Sequence, residues 1–401
     1  MELGTALPSA GGEVTYLKRS FGELSAFLFM WCNVFVGRPA AFAITAIVAG
    51  ENACRFTTGW RGNECHQSNT AMSLALMCVA LTAALNAFST RASTAVLSIT
   101  LSTTVMAMTA ISLAGLHFAY THKEILTQTR LDFDGSQDSW IKLGPAFMSA
   151  MWAFDGWNTL NYSTEEMVDS RAMKKIIWVS LPIITLFYMC VNAAYLVILP
   201  PSDVADSDTL GVDVAFAVLG PIGARIMPVF ITASSFGSCV GNLFVGARIV
   251  FSSGRDGELP SWLGTVDRYT LTPLRGVLLE TLLAIVCLLT MRNIDRLISF
   301  FSIATWLFYV MVVLGLLRLR ITEPGLDRPS KAPALAIIIF LVSASSLLVM
   351  QCLYDPTSMA LGFGVAAVGM AYHTLRGLPM SLKKEEIFKM KDYSNHYGST
   401  Q

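Results

Sequence analysis

Long apolar stretches recur from one end of the chain to the other, separated by short polar connections that hold most of its charge. Each runs to roughly 17–25 residues, enough for a helix to cross the hydrocarbon core of a bilayer. The polarity breaks predict about ten spans. The first five are Leu24–Gly50, Ala71–Phe88, Val96–Ala119, Gly144–Glu166 and Ile176–Leu199. The second five are Met227–Phe251, Gly276–Leu289, Leu297–Leu317, Ala334–Cys352 and Ser358–Tyr372. The short connection MRNID leaves the border between the seventh and eighth spans soft. The expected organisation is an N-terminal segment over residues 1–23, a membrane domain over 24–375 and a tail over 376–401.

Composition supports an all-α polytopic membrane protein. Of the 401 residues 54% are hydrophobic and only 14% charged, with a mean hydropathy of +0.55. A soluble domain carries about a quarter charged residues. The net charge is zero and no basic run is interleaved with aromatics, which argues against nucleic acid as a partner. The opening MELGTALPSAGGEVTYLKRSFGE lacks the apolar core of a signal peptide. One set of loops holds Lys18, Arg19, Arg91, Arg171, Lys174, Lys175, Arg318 and Arg320, and the tail adds Lys383 and Lys384. The opposite set is poorer in cations and carries Asp203, Asp206, Asp208 and Asp213, read as a solvated face. By the positive-inside rule both termini are cytoplasmic. Cys54 and Cys65 then share an extracellular loop, where disulfides persist.

The spans contain no HExxH, no P-loop and no GxSxG, and the five histidines show no metal-ligand spacing. Nothing calls for an enzyme or a chemical cofactor. The chemistry concentrates instead in MWAFDGWNTLNYSTEE, where Asp155 stands inside an apolar run. A charge at the centre of a membrane helix costs about 2.5–3.5 kcal/mol on insertion scales, so it faces a cavity or a partner. Gly156 beside it weakens helix continuity, and transporters use such breaks to meet substrate near the midplane. Asp155 would present its carboxylate to an ammonium, a guanidinium, a proton or a sodium ion; the alternative is structural pairing with an arginine. Arg38, in NVFVGRPAAF, is the natural partner, or it snorkels to the outer interface as an anchor. Pro39 behind it predicts a kink.

These residues carry a resemblance. WAFDGWNTLNYSTEE resembles the broken sixth span of the light chains of heteromeric amino-acid transporters, in the amino acid–polyamine–organocation superfamily. SAGGEVTYLKRSFGELSAFLFMW, FGSCVGNLFVGARIVFSSGRDGELP and ISFFSIATWLFYVMVVLGLLRLR with EPGLDRP resemble the third, eighth and tenth spans of that family, in order. The resemblance implies an inverted-repeat fold of five plus five spans in the plasma membrane. It also implies exchange of amino acids by alternating access without ATP. The Trp-Ala-aromatic-Asp-Gly-Trp-Asn pattern is most similar to the type exchanging cystine and dibasic amino acids for neutral ones.

The resemblance further implies that Asp155 attracts the substrate cation and that Trp152 is an aromatic gate above it. Carbonyls freed around Ala153 and Phe154, at the break made by Gly156, would receive the α-ammonium, with Asn242 and Thr305 at the pocket wall. Cys65 matches the cysteine that bonds a single-span heavy-chain glycoprotein, while Cys54 would compete by closing an internal bridge. Thr104 stands where many relatives have lysine, and Val240 where asparagine is common. The likeness begins at Glu2, at the end of the family's second span, so the sequence is expected to lack the first two, as an incomplete gene model or a genuine short isoform. Two further functions stay open: a light chain that binds a heavy chain without transporting, and a neutral amino-acid exchanger in which Asp155 is structural.

Overall fold

The structure is a computed structural model that describes residues 2–7, 12–58, 65, 66, 68–122, 140–158, 172–207 and 209–375. Its regular elements among these residues are all helical. Two short helices, α1 (Glu2–Ala6) and α2 (Glu13–Phe21), lead into α3 (Glu23–Cys32), a π turn over Asn33–Gly37, and α4 (Arg38–Thr58). Then come α5 (Asn69–Phe88), α6 (Thr90–Thr121), α7 (Leu143–Ala153), α8 (Ala172–Ile198), α9 (Pro201–Asp206) and α10 (Leu210–Leu219). The chain continues through α11 (Pro221–Arg255), α12 (Leu274–Thr290), α13 (Ile294–Thr322), α14 (Ala334–Tyr354) and α15 (Pro356–Leu375). Among the described residues eight helices are long and apolar enough to cross a membrane.

Two expected spans differ from the rest. The seventh is α12, only 17 residues long. The fourth is cut short, because α7 ends after 11 residues at Ala153; residues 159–166 of that expected span, with Thr164, Glu165 and Glu166, lie outside the described residues, as does the tail. Pro39 does not end its helix. Proline has no N–H to give the carbonyl four residues back, and the helix widens into the π turn just ahead of Arg38. The acidic segment is a partial correction. Asp203 and Asp206 are exposed as expected, but the segment folds into α9 and α10, and Asp213 turns inward to accept from the Ser207 hydroxyl.

At the centre lies α4, packed against α5, α11, α12 and α13. Small residues allow this closeness: a Cβ on Gly50 would stand 2.4 Å from the Ala71 carbonyl oxygen. Outer helices such as α6, α8 and α14 turn large apolar side chains outward, among them Leu116, Trp178 and Ile339, as expected of lipid-facing surfaces. At the far end of the fold Asp355 caps α15, its Oδ1 accepting from the Ser358 N–H (3.1 Å) and the Thr357 hydroxyl (2.7 Å).

The loop cysteines require a second correction. Cys54, near the end of α4, is bonded to Cys65 with Cα atoms 5.8 Å apart. The internal bridge has formed, so Cys65 carries no thiol for a heavy chain. Both cysteines are buried with Ala71 in a small apolar cluster, which favours the short closure over a bond to an outside chain.

The short helix α1 is held by charge. Arg320 Nε donates to Glu2 Oε1 at 3.0 Å, the Ala332 N–H donates to Oε2 at 2.7 Å, and Arg328 stands 3.6 Å away. Burial raises the Glu2 carboxyl, but the bonds from Arg320 and Ala332 and the charges of Arg320 and Arg328 outweigh it and hold the group below its ordinary 4.5. A carboxyl lowered in the fold contributes stability above its unfolded value and loses it as pH falls through the lowered one. Glu2→Gln is expected to cost about 3 kcal/mol at neutral pH. Melting in detergent across a pH series should show the gap to the parent closing below 4.5.

Candidate functional site

The α7 helix ends by tightening. The Phe154 and Asp155 N–H groups donate to the carbonyls of Met151 (3.1 Å) and Trp152 (3.0 Å), three residues back rather than four. Gly156 then takes φ +93°, left-handed backbone that glycine adopts without steric cost. The broken segment is pinned by aromatic contacts to two neighbouring helices. Trp152 meets Phe301 edge-on at 4.7 Å, Phe154 meets Tyr188 at 5.0 Å and Trp157 meets Tyr309 at 5.3 Å. The Tyr188 hydroxyl donates to the Ala153 carbonyl at 2.7 Å. That carbonyl, expected to be free for a substrate ammonium, therefore already serves a tyrosine.

Asp155 is crowded by protein on one side but exposed at the break on the other. Arg38 lies within electrostatic reach of it, as the sequence anticipated. The same guanidinium also reaches Glu280 on α12, which is 1% exposed, and the Tyr309 hydroxyl. Beside them Asn158 donates to Glu13 Oε1 at 2.8 Å and bonds Tyr309, joining α2 to α13 across the end of the break. A cavity of about 260 Å³ opens here, lined by Glu13, Tyr16, Trp157 and Tyr309 with Val312 and Phe340 among its apolar walls.

Trp152, Ala153, Phe154, Asp155 and Gly156 are thus gathered at one break. Thr305 is buried one turn beyond Phe301 and one before Tyr309, on the α13 face turned toward it. Asn242 is half-buried on α11, a helix packed mainly on α4, α5, α6, α10 and α12. Thr104 shares a 2.7 Å hydrogen bond with Ser234 on α11, and Val240 is buried with its carbonyl facing Asn86. Sequence reasoning missed Glu13, Asn158, Glu280 and Tyr309. Glu280 carried the same signal as Asp155, an acid inside an apolar run (VLLETLLA).

The amino acid permease family model matches residues 1–372. The chain belongs to the amino acid permease family. It is 31% identical over 345 residues to the mouse (Mus musculus) b(0,+)-type amino acid transporter 1, covering 85% of this chain and 69% of that protein. It is 30% identical over 379 residues to the rabbit (Oryctolagus cuniculus) large neutral amino acids transporter small subunit 2, covering 93% and 69%. This permease is a multi-pass membrane protein that transports amino acids and is not an enzyme.

In this permease a side chain at position 156 would have to adopt left-handed backbone, at roughly 1–2 kcal/mol. Gly156→Ala should therefore lower the melting temperature and uptake together. Gly156→Asn, whose side chain tolerates that region, should retain more of both.

Proposed function

We propose that the chain exchanges cationic amino acids, cystine or both for neutral amino acids by alternating access, with Asp155 as the reader of the substrate cation. The observation that carries this is the exposed carboxylate at a helix break, in one short stretch with Trp152, Phe154 and Trp157. A carboxylate in a low-dielectric site favours an incoming cation, and the nearby Trp152 ring can add a cation–π contact of about 0.5–2 kcal/mol. The similarity to a b(0,+)-type transporter supports the same reading. Asp155→Gly should reduce arginine uptake about tenfold or more, a difference of roughly 1.4 kcal/mol, while leucine uptake holds. Equal retention of both substrates would remove Asp155 from the role.

A second reading has its own support. Arg38 partly neutralises Asp155, and another relative is a large neutral amino acids transporter. A neutral exchanger would take up leucine with no competition from excess arginine.

The protein works in the plasma membrane with both termini cytoplasmic, paired as a light chain with a single-span heavy-chain glycoprotein; a relative named as a small subunit supports the pairing. With Cys54 and Cys65 bonded to each other, that association is non-covalent. A co-expressed pair should co-purify in mild detergent yet separate on a denaturing gel run without reductant. A reductant-sensitive heterodimer band would show that the internal bridge exchanges.

A further inference from the structure

The seventh span is short for the layer it crosses. The α12 helix has 17 residues, which at its rise per residue is about 25 Å, against a hydrocarbon core of about 30 Å. Arg275 in its first turn and Arg292 just past its end bracket it with charge. Its partners α4, α5 and α11 are all longer. A span that falls short must thin the bilayer around it or draw its flanking residues toward the membrane.

The outward face of α12 is apolar. Leu278, Leu282, Val286 and Leu289 are exposed and fall at helical spacing on the face that Arg275 begins. Arg275 Nη1 donates to the Trp262 carbonyl at 2.6 Å, so a 3₁₀ turn over Ser261–Gly264 is held at the head of this stripe. Trp262 itself is 55% exposed, and the loop that follows leaves Tyr269 95% and Leu271 75% exposed. Large aromatic and apolar groups thus carry the stripe on past the end of the helix.

That exposure is held in place against strain. Leu271 takes φ +54°, left-handed backbone that glycine or asparagine adopts more readily than leucine. Such strain persists where the surroundings over-determine it. The Asp267 carboxylate accepts from the Tyr269 and Thr270 N–H groups, both at 3.0 Å, and the Leu271 N–H donates to the Asp267 carbonyl at 3.1 Å. The Thr272 hydroxyl donates to the Ala87 carbonyl at 2.7 Å, tying the loop to the last turn of α5. The loop is therefore braced where two helices end, while its outermost side chains are ones that water disfavours.

We propose that Trp262, Tyr269 and Leu271 form an interfacial anchor for α12, a braced loop that enters the boundary between lipid headgroups and acyl chains and completes the reach of a short span. Tryptophan and tyrosine suit that zone, being apolar in body and polar at one end. Arg275 keeps its stem in the apolar layer and its charge at the lipid phosphates. The occupant of the patch is the bilayer, because the patch runs on from the outward apolar face of a membrane helix. A leucine in left-handed backbone is then accounted for: its apolar contact is with lipid rather than with protein. The anchor works whichever amino acid is carried.

The test uses the full chain in phosphatidylcholine nanodiscs. A nitroxide is attached in turn to Tyr269→Cys and Leu271→Cys, with Cys190→Ser and Cys352→Ser removing the free thiols that are not buried. Leu278→Cys on the outer face of α12 and Asp256→Cys at the polar end of α11 are the references. Relaxation by oxygen, which concentrates in lipid, is compared with relaxation by a water-soluble nickel chelate. Both loop labels should read closer to position 278 than to position 256. Readings equal to those at 256 would place the loop in water, or under a soluble partner, and overturn the proposal.

A second measurement separates anchoring from local packing. In the double variant Trp262→Ser with Leu271→Asn, both altered side chains are exposed and asparagine tolerates left-handed backbone. In detergent it should melt within about 1 °C of the parent, while in vesicles its deficit should grow with acyl-chain length to about 4 °C or more in the thickest bilayer. An equal deficit in detergent and in every lipid would show these side chains to be merely structural. No deficit at any thickness would show that the span does not need them. Either result overturns the anchor.

Discussion

A guanidinium in the interior of a helical membrane protein needs negative charge around it, and Arg38 sets that requirement for much of the fold. It stands at the first residue of α4, the helix on which α5, α11, α12 and α13 all pack. The two acids within its electrostatic reach come from far apart in the chain, one at the end of α7 and one in the middle of α12. An attraction across that distance in the chain favours one arrangement of elements that apolar packing alone would leave free to slide, since lipid tails are as apolar as leucine. Removing any one of these charges leaves the others desolvated, which is more costly than never having buried them.

Backbone polarity imposes the second demand. A helix that stops within a membrane leaves carbonyls and N–H groups that lipid cannot satisfy. At the end of α7 the chain uses three devices: donors that reach back three residues, a tyrosine hydroxyl from α8 on the Ala153 carbonyl, and rings that meet edge-on beside the break. Pro39 creates a similar problem inside the first span, met by the π turn immediately before Arg38. Both irregularities thus adjoin the same charged cluster, where freed backbone has polar company.

The fold was largely legible because its signal is long. Apolar runs of membrane length survive local ambiguity, and eight of the ten expected spans fall on helices long enough to cross a membrane. The misreadings arose where local rules met tertiary context. The acidic loop reads as solvated from its charge, but Val212 packs on Ala224 and Met227 outside the segment and Asp213 accepts from the Ser207 hydroxyl within it. The partner of Cys65 depends on where α4 ends in space, which spacing of eleven residues in a loop does not specify. At the site, Asp155, Gly156 and Trp152 stood out because they break an apolar pattern in one continuous stretch. Glu13 and Asn158 did not, because each sits among other polar residues and gains meaning only when α2 meets the break.

That distinction bears on how substrate preference is encoded. Residues lining the break can be compared one by one along the sequence, and they suggest a cation reader. Yet an aspartate with an arginine beside it is a neutral pair, unless a third group claims the arginine. Preference for a charged or a neutral side chain then depends on the charges set around the break as well as on the residues that line it. Two members of one family with the same aspartate at the break would then differ in substrate according to the charges that surround its partner arginine.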